Sequence, residues 1–244
     1  MRTEHGNVAP VLLAKGDGPG ELRADVPYQM AMILSRVYPH VPEGRIAVVA
    51  RRCDEKAIAE LSKRDIVDRD RIALIGLACT KEQVAECRCR DPCPETVDLG
   101  ECSDPVVEDP VVEKVRSMPP EARLAFWTDQ FRKCNKCYGC TVNCPVCFCD
   151  DCLLEDKTFT VEKGIPPGMA FHVIRSMHLA DKCVECGECE RSCPVDIPLL
   201  ALRKMANDDM KELFGYTAGD ADRKSPLLTT LEGDPIKEGD VDAC

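Results

Sequence analysis

Apolar residues in the first half of the chain recur in short runs broken by charge. Over residues 27–38, Met30, Ile33, Leu34 and Val37 share one face at helical spacing, which predicts an amphipathic helix. Residues 45–50 carry the continuous run Ile46-Ala-Val-Val, the pattern of a short buried strand. Asp54 is placed to cap a following helix whose inner face is Ala57, Ile58 and Leu61. A second strand follows over residues 71–77, with Ile72, Leu74 and Ile75. Strand, helix and strand at this spacing predict a βαβ unit and hence a parallel pair.

The second half reads as helical. Residues 120–132 begin with Pro120 in a first turn and put Leu124, Trp127 and Phe131 on one face. Residues 167–179 present Ala170, Val173, Ile174 and Met177, and residues 198–214 present Leu202, Met205, Ala206, Leu213 and Phe214. Between the halves, residues 94–119 are acidic and proline-rich and predict a linker with little regular structure. Residues 216–244 are polar and punctuated by Gly and Pro, the composition of a tail ordered only on a partner. The expected layout is an α+β chain: a small βαβ domain over residues 1–115, a helix-rich domain over 116–215, and an extended tail over 216–244.

The chemistry enters with the cysteines, of which there are 18 in 244 residues. Cys134-x2-Cys137-x2-Cys140-x3-Cys144-Pro145 is repeated as Cys183-x2-Cys186-x2-Cys189-x3-Cys193-Pro194. In two-cluster ferredoxins each such motif gives three thiolates to one iron–sulfur cube and its fourth to the other. The spacing bends the chain around one cube, and the x3 step and the proline carry the last cysteine to its neighbour. Cys134, Cys137, Cys140 and Cys193 are thereby assigned to one 4Fe–4S cluster, and Cys183, Cys186, Cys189 and Cys144 to a second. A zinc site uses four ligands and leaves the remaining cysteines of each motif unexplained. Disulfides suit secreted scaffolds, and the opening MRTEHGNVAP lacks a basic stretch followed by an apolar one. A cytoplasmic, reducing setting is the expectation.

Two further thiols stand at strand ends. Cys53 follows the first strand and Cys79 the second, and parallel strands end on the same sheet edge, where α/β folds place ligands. The loop with Cys87, Cys89 and Cys93 can complete the set, so a third 4Fe–4S cluster held by Cys53, Cys79 and two of the loop cysteines is a hypothesis; small apolar core residues are the plainer reading of Cys53 and Cys79. Cys147, Cys149 and Cys152 offer part of another metal site, completed by Cys102 or a partner; alternatively they are free thiols sheathing the cluster. His172 and His178 fall on different faces of one helix and read as packing or surface residues.

A net charge of −11 disfavours nucleic-acid and anionic-lipid surfaces, and no stretch is long and apolar enough to span a bilayer. Because a reduced cluster carries more negative charge, an acidic chain favours lower potentials. No G-x-G-x-x-G, P-loop or nucleophile elbow is present, so no catalytic residue is assigned.

The segments Val49-Ala-Arg-Arg-Cys53-Asp-Glu-Lys-Ala-Ile, Ile75-Gly-Leu-Ala-Cys79 and the loop of Cys87, Cys89 and Cys93 resemble the beta-subunit family of deazaflavin-reducing hydrogenases and related formate dehydrogenases. The stretch Cys137-Tyr-Gly-Cys140 through Cys144-Pro-Val-Cys147-Phe-Cys149, with Phe171-His172, Cys183-Val-Glu-Cys186-Gly-Glu-Cys189 and Leu213-Phe214-Gly-Tyr216, is similar to the dicluster ferredoxin segment joined to it in bacterial members. The resemblance implies a cluster at the strand-edge cysteines. It also implies an electron-relay subunit beside a catalytic one: a formate dehydrogenase, a hydrogenase, a tungsten aldehyde-type oxidoreductase or a heterodisulfide-reductase-type flavin subunit. Larger members carry a flavin and exchange electrons with a soluble deazaflavin or nicotinamide. A flavin-bearing reductase is therefore the alternative, though this chain is short for one.

Overall fold

The computed structural model of the chain describes residues 2–4, 7–14, 16–18, 26, 28–41, 43–155 and 164–229. Of the expected elements, Pro27 and residues 230–244 of the tail lie outside the described residues. The fold is α+β. An antiparallel pair, β1 (Arg2–Glu4) and β2 (Asn7–Ala9), opens the chain. Helix α1 (Met30–Val37) leads to β3 (Ile46–Ala50), α2 (Arg52–Ser62) and β4 (Ile72–Gly76). β3 and β4 pair in parallel, in register from Ile46 opposite Ile72 to Ala50 opposite Gly76, as the βαβ pattern requires.

One core joins the two halves. Ala31 and Leu34 of α1, Val48 and Ala50 of β3, Ala57, Ile58 and Leu61 of α2, and Ile72 of β4 pack with Val146, Leu179 and Val184 from the cysteine-rich half. Full burial of each Leu, Ile or Val contributes about 1.5–3 kcal/mol. Cys53, Cys144, Cys183 and Cys186 pack against the same core, so thiols from both halves share its border.

Asp54 caps α2 from inside the helix, not from the position before it. The helix starts at Arg52, and Asp54, fully buried, accepts from Arg51 N at 3.1 Å and from Ala31 N of α1 at 2.9 Å. This shift puts Cys53 in the first turn of α2, at the end of β3.

The expected linker is more ordered than its composition suggested. Thr80 caps α3 (Lys81–Cys87) through a capping box with Gln83, and Asp109 followed by Pro110 starts α4 (Pro110–Arg116). Helix α4 packs on α9 (Leu199–Phe214), so a boundary at residue 115 runs through a helix attached to the second half. Gly76 lets the residues before α4 cross the end of β4, because a side chain there would run into the Thr96 carbonyl.

In the second half, α5 (Pro120–Phe131), α7 (Met169–Leu179) and α9 surround two short helices, α6 (Gly139–Val142) and α8 (Glu188–Arg191). The expected inner face of α7 is turned outward: Ala170, Val173 and Met177 are exposed, while Phe171, His172, Arg175 and Leu179 are buried. The helix turns Arg175 toward Cys140 and Cys147, stacks His172 on Phe131 and leaves its aliphatic stripe outside. Leu124, Leu213 and Phe214, read from their spacing as inward, are also exposed.

The tail begins later than residue 216. Tyr216, Ala218 and Ser225 are buried. Tyr216 donates to Glu60 at 2.9 Å, Gly219 N donates to the same oxygen at 2.6 Å, and Ser225 donates to Asp181 at 2.6 Å. A short helix, α10 (Pro226–Thr229), ends the described chain. A polar strap thus ties α2 to the end of α7.

A second polar tie is Asp109, which accepts from Arg88 at 2.8 Å, Lys204 at 2.9 Å and Val111 N at 3.0 Å. Burial opposes its ionisation, but the hydrogen bonds and charges of Arg88 and Lys204 outweigh it and draw the carboxyl down to about 2. Its folded value lies below the unfolded one, so this contribution is complete above about pH 4 and lost as the pH falls toward 2. Replacing Asp109→Asn should cost about 2–3 kcal/mol of local stability at neutral pH, since a pKa unit is about 1.4 kcal/mol. The loss should be read as faster amide exchange in α4 and residues 87–93; unchanged exchange would contradict the role.

Candidate metal centres

The two ferredoxin motifs fold alike. Lys136 and Tyr138 take left-handed backbone conformations (φ 57° and 59°), and Glu185 and Gly187, at the matching positions of the repeat, do the same (56° and 78°). These turns curl each C-x-x-C-x-x-C stretch, and α6 and α8 follow at matching places and pack on each other. Three non-glycine residues held left-handed store about 1–2 kcal/mol of strain each, which the surroundings must over-determine.

The contacts cross between motifs. Cys134 feels the charges of Cys140, Cys137 and Cys193, and Cys134, Cys140 and Cys193 pack together against Val115, Trp127, Phe131 and Ile197. Backbone N–H groups already face this set: Lys136 N donates to Cys134 Sγ at 3.4 Å and Ile197 N to Cys193 Sγ at 3.5 Å. Cys144, Cys183, Cys186 and Cys189 together line a second cavity, with Arg175 and Arg203 in its wall. The fourth cysteine of each motif therefore stands with the other motif's three.

A third set gathers at the strand edge. Cys53 feels Cys79 and Cys89, and Cys79 feels Cys89 and Cys87. Gln29 donates to Cys53 Sγ at 3.5 Å and Arg191 to Cys87 Sγ at 2.9 Å. Cys93 is removed from the candidate pool, because it joins Cys102 in a disulfide with a Cα–Cα distance of 5.4 Å. Of the five thiols considered at this edge, four remain together.

Cys147, Cys149 and Cys152 are not drawn into one site. Cys147 accepts from Arg175 at 3.5 Å, Cys149 is exposed, and Cys152 lies near Tyr138. Among the described residues, no three His, Cys, Asp or Glu side chains converge tightly enough for a single ion. The second set encloses a cavity instead. His178 is exposed, whereas His172 is buried and stacks on Phe131 with ring centroids 4.2 Å apart.

Do these residues fit iron–sulfur cubes? Burial pushes Cys183 and Cys189 up to about 12 and Cys79 to about 11, and it raises Cys53 and Cys186 as well. Thiols crowded in this way are held neutral by burial, and coordination to a cation removes their protons outright. The cationic side is matched. Arg175 Nε and Arg203 Nε and Nη1 are buried donors with no acceptor, and the buried His172 Nε2 also lacks a partner. Burial and the Arg175 charge push the Arg203 guanidinium down, which the nearby cysteines only partly offset. An anionic cube presenting sulfide acceptors between these groups answers both mismatches. The residues fit. Sequence reasoning missed Arg175, Arg191 and Arg203, which carried no signal beyond lying near the motifs.

Comparison with known proteins agrees with this chemistry. The 4Fe–4S binding domain family matches residues 178–198. The chain is therefore an iron–sulfur protein with a 4Fe–4S ferredoxin domain. It is similar to the F420-dependent formate dehydrogenase subunit beta of Methanocaldococcus jannaschii, 42% identical over 111 residues, or 45% of this chain and 29% of the relative. It is also similar to the F420-dependent formate dehydrogenase 1 subunit beta of Methanococcus maripaludis, 39% identical over 42% of this chain and 26% of the relative. The chain spans less than a third of the length of these two relatives, and the likeness to them, with the ferredoxin match, supports a beta-subunit family with a ferredoxin domain. A weaker likeness, 24% identity over 57% of this chain and 15% of the relative, is to the acetyl-CoA decarbonylase/synthase complex subunit alpha 1 of Methanosarcina acetivorans.

The crossed assignment has a countable consequence. With Cys193→Ser and Cys186→Ser combined, crossed ligation costs about 8 iron per chain, because each change disables a different cube. If each motif closed its own cube, both changes would fall in one and the loss would be about 4 iron.

Proposed function

We propose that the chain is an iron–sulfur electron-transfer subunit of a multisubunit oxidoreductase, working between a catalytic subunit and a flavin or ferredoxin-type partner. The clusters supply one-electron carriers when bound. Two are assigned to the ferredoxin sets, and a third to Cys53, Cys79, Cys87 and Cys89.

The observation that carries this reading is the adjacency of the three sets. Cys189 packs with Cys134, Cys140 and Cys193 of the first set while lining the cavity of the second. Cys186 of the second set feels the charge of Cys53 in the third. The order is therefore first set, second set, strand-edge set, with the second in the middle. The protein's own part is to hold thiols at fixed places, exclude water from the second set and surround it with N–H donors. Those features lower the reorganisation that accompanies a change of charge.

Among catalytic neighbours, a formate-oxidising subunit is favoured over a hydrogenase, a tungsten aldehyde-type enzyme or a heterodisulfide-reductase-like one, because both beta-subunit relatives carry formate dehydrogenase names. Among the described residues no helix is long and apolar enough to cross a membrane.

The native complex, purified anaerobically on a tagged chain, should lose its broad visible iron–sulfur absorption on addition of formate. Bleaching by hydrogen or an aldehyde instead would reassign the neighbour. No bleaching by any of the three, in a complex that dithionite does reduce, would overturn the relay.

A further inference from the structure

Arg191 is a cation that spans the two halves of the chain. It lies in α8, between Cys189 and Cys193 of the second motif, yet its Nη1 donates to Cys87 Sγ of the first half at 2.9 Å. Its other arm donates to Glu188 Oε2 at 2.6 Å, which fixes the plane of the guanidinium and leaves Nη1 facing the sulfur. The guanidinium is largely buried, and the charges it feels are those of Cys87, Glu188 and Cys186. It thus sits between one thiol of the strand-edge set and one of the second ferredoxin set.

We propose that Arg191 sets the potential of the strand-edge centre and couples it to the second ferredoxin centre. The inference rests on the reading of Cys53, Cys79, Cys87 and Cys89 as a cluster site. One electron arriving from the second centre adds one negative charge and needs no proton. A fixed positive charge hydrogen-bonded to a ligand sulfur stabilises that added charge, so it raises the potential of the centre it touches. Glu188 opposes this from the far side of the guanidinium. Against a chain of net charge −11, which favours low potentials throughout, Arg191 makes the strand-edge centre a local acceptor. Arginine suits the task because it stays charged when buried and its fork grips a carboxylate and a sulfur at once. It is a positioning and potential-setting residue, not a catalytic one.

The test is a redox titration of the anaerobically reconstituted chain, followed by electron paramagnetic resonance, with iron and sulfide counted on each sample. Cys79→Ser identifies the strand-edge signal by its loss. In Arg191→Gln, with about 12 iron retained, that signal should titrate at lower potential, with a smaller shift in the same direction at the second centre. The signal that Cys193→Ser removes should stay in place. Glu188→Gln should move the strand-edge signal upward, and Arg191→Lys should recover part of the loss. A merely structural role produces no such opposed pair of shifts. The proposal is overturned if the signal stays put in Arg191→Gln, or if Arg191→Gln cannot hold iron and the signal stays put in Glu188→Gln. Loss of the strand-edge iron in both Arg191→Gln and Arg191→Lys would also overturn it, by making Arg191 a prop. A wild-type chain with about 8 iron and no signal lost in Cys79→Ser would instead sink the cluster reading beneath it.

Discussion

Burial resists ionisation of the thiols that this chain gathers. Cys53, Cys144, Cys183, Cys186 and Cys189 are held in water-poor surroundings with one another's charges nearby, and all are driven upward. Beside them stand Arg175 and Arg203, with buried N–H donors that meet no acceptor. Each feature alone would be destabilising, because unpaired buried donors cost about 1–3 kcal/mol apiece. Together they describe the outline of an anionic, sulfur-bearing group that accepts those hydrogen bonds and deprotonates those thiols. The outward-facing stripe of α7, the left-handed turns and the paired short helices all follow from making room for it.

The same constraint explains how the halves are joined. Arg88 reaches from the strand-edge loop to Asp109 and to Glu190 of the second motif, each at 2.8 Å, and Lys204 of α9 binds Asp109 as well. The strap through Tyr216 and Ser225 closes the opposite side onto α2 and Asp181. Relay by tunnelling needs short, fixed separations between centres, and these charged ties hold the strand edge against the ferredoxin domain. They make the two domains of the sequence reading one working body around adjacent cysteine sets.

Much of this was legible beforehand. The parallel βαβ unit followed from Ile46-Ala-Val-Val, the α2 pattern and Ile72–Ile75, because period and spacing report backbone topology directly. The x2-x2-x3 spacing carried the expectation of crossed ligation, and the structure groups Cys193 with the first motif and Cys144 with the second. What the pattern could not show was the face of α7, since hydrophobic periodicity assumes an apolar interior and this helix turns Arg175 inward toward Cys140 and Cys147. It also missed α4, whose signal was present as Asp109-Pro110 but was hidden by the acidic, proline-rich stretch around it. The pairing of Cys93 with Cys102, nine residues apart, has no local sequence mark. The tail reading stopped at Tyr216 because its partner, Glu60, lies more than 150 residues earlier.

The number of cubes is the point on which the account turns. Iron, zinc and acid-labile sulfide, counted per chain on anaerobically purified protein, address it directly. The account predicts about 12 iron with matching sulfide and no stoichiometric zinc. About 8 iron, or zinc in place of the remaining four, would contradict it and return the strand-edge thiols to a structural role.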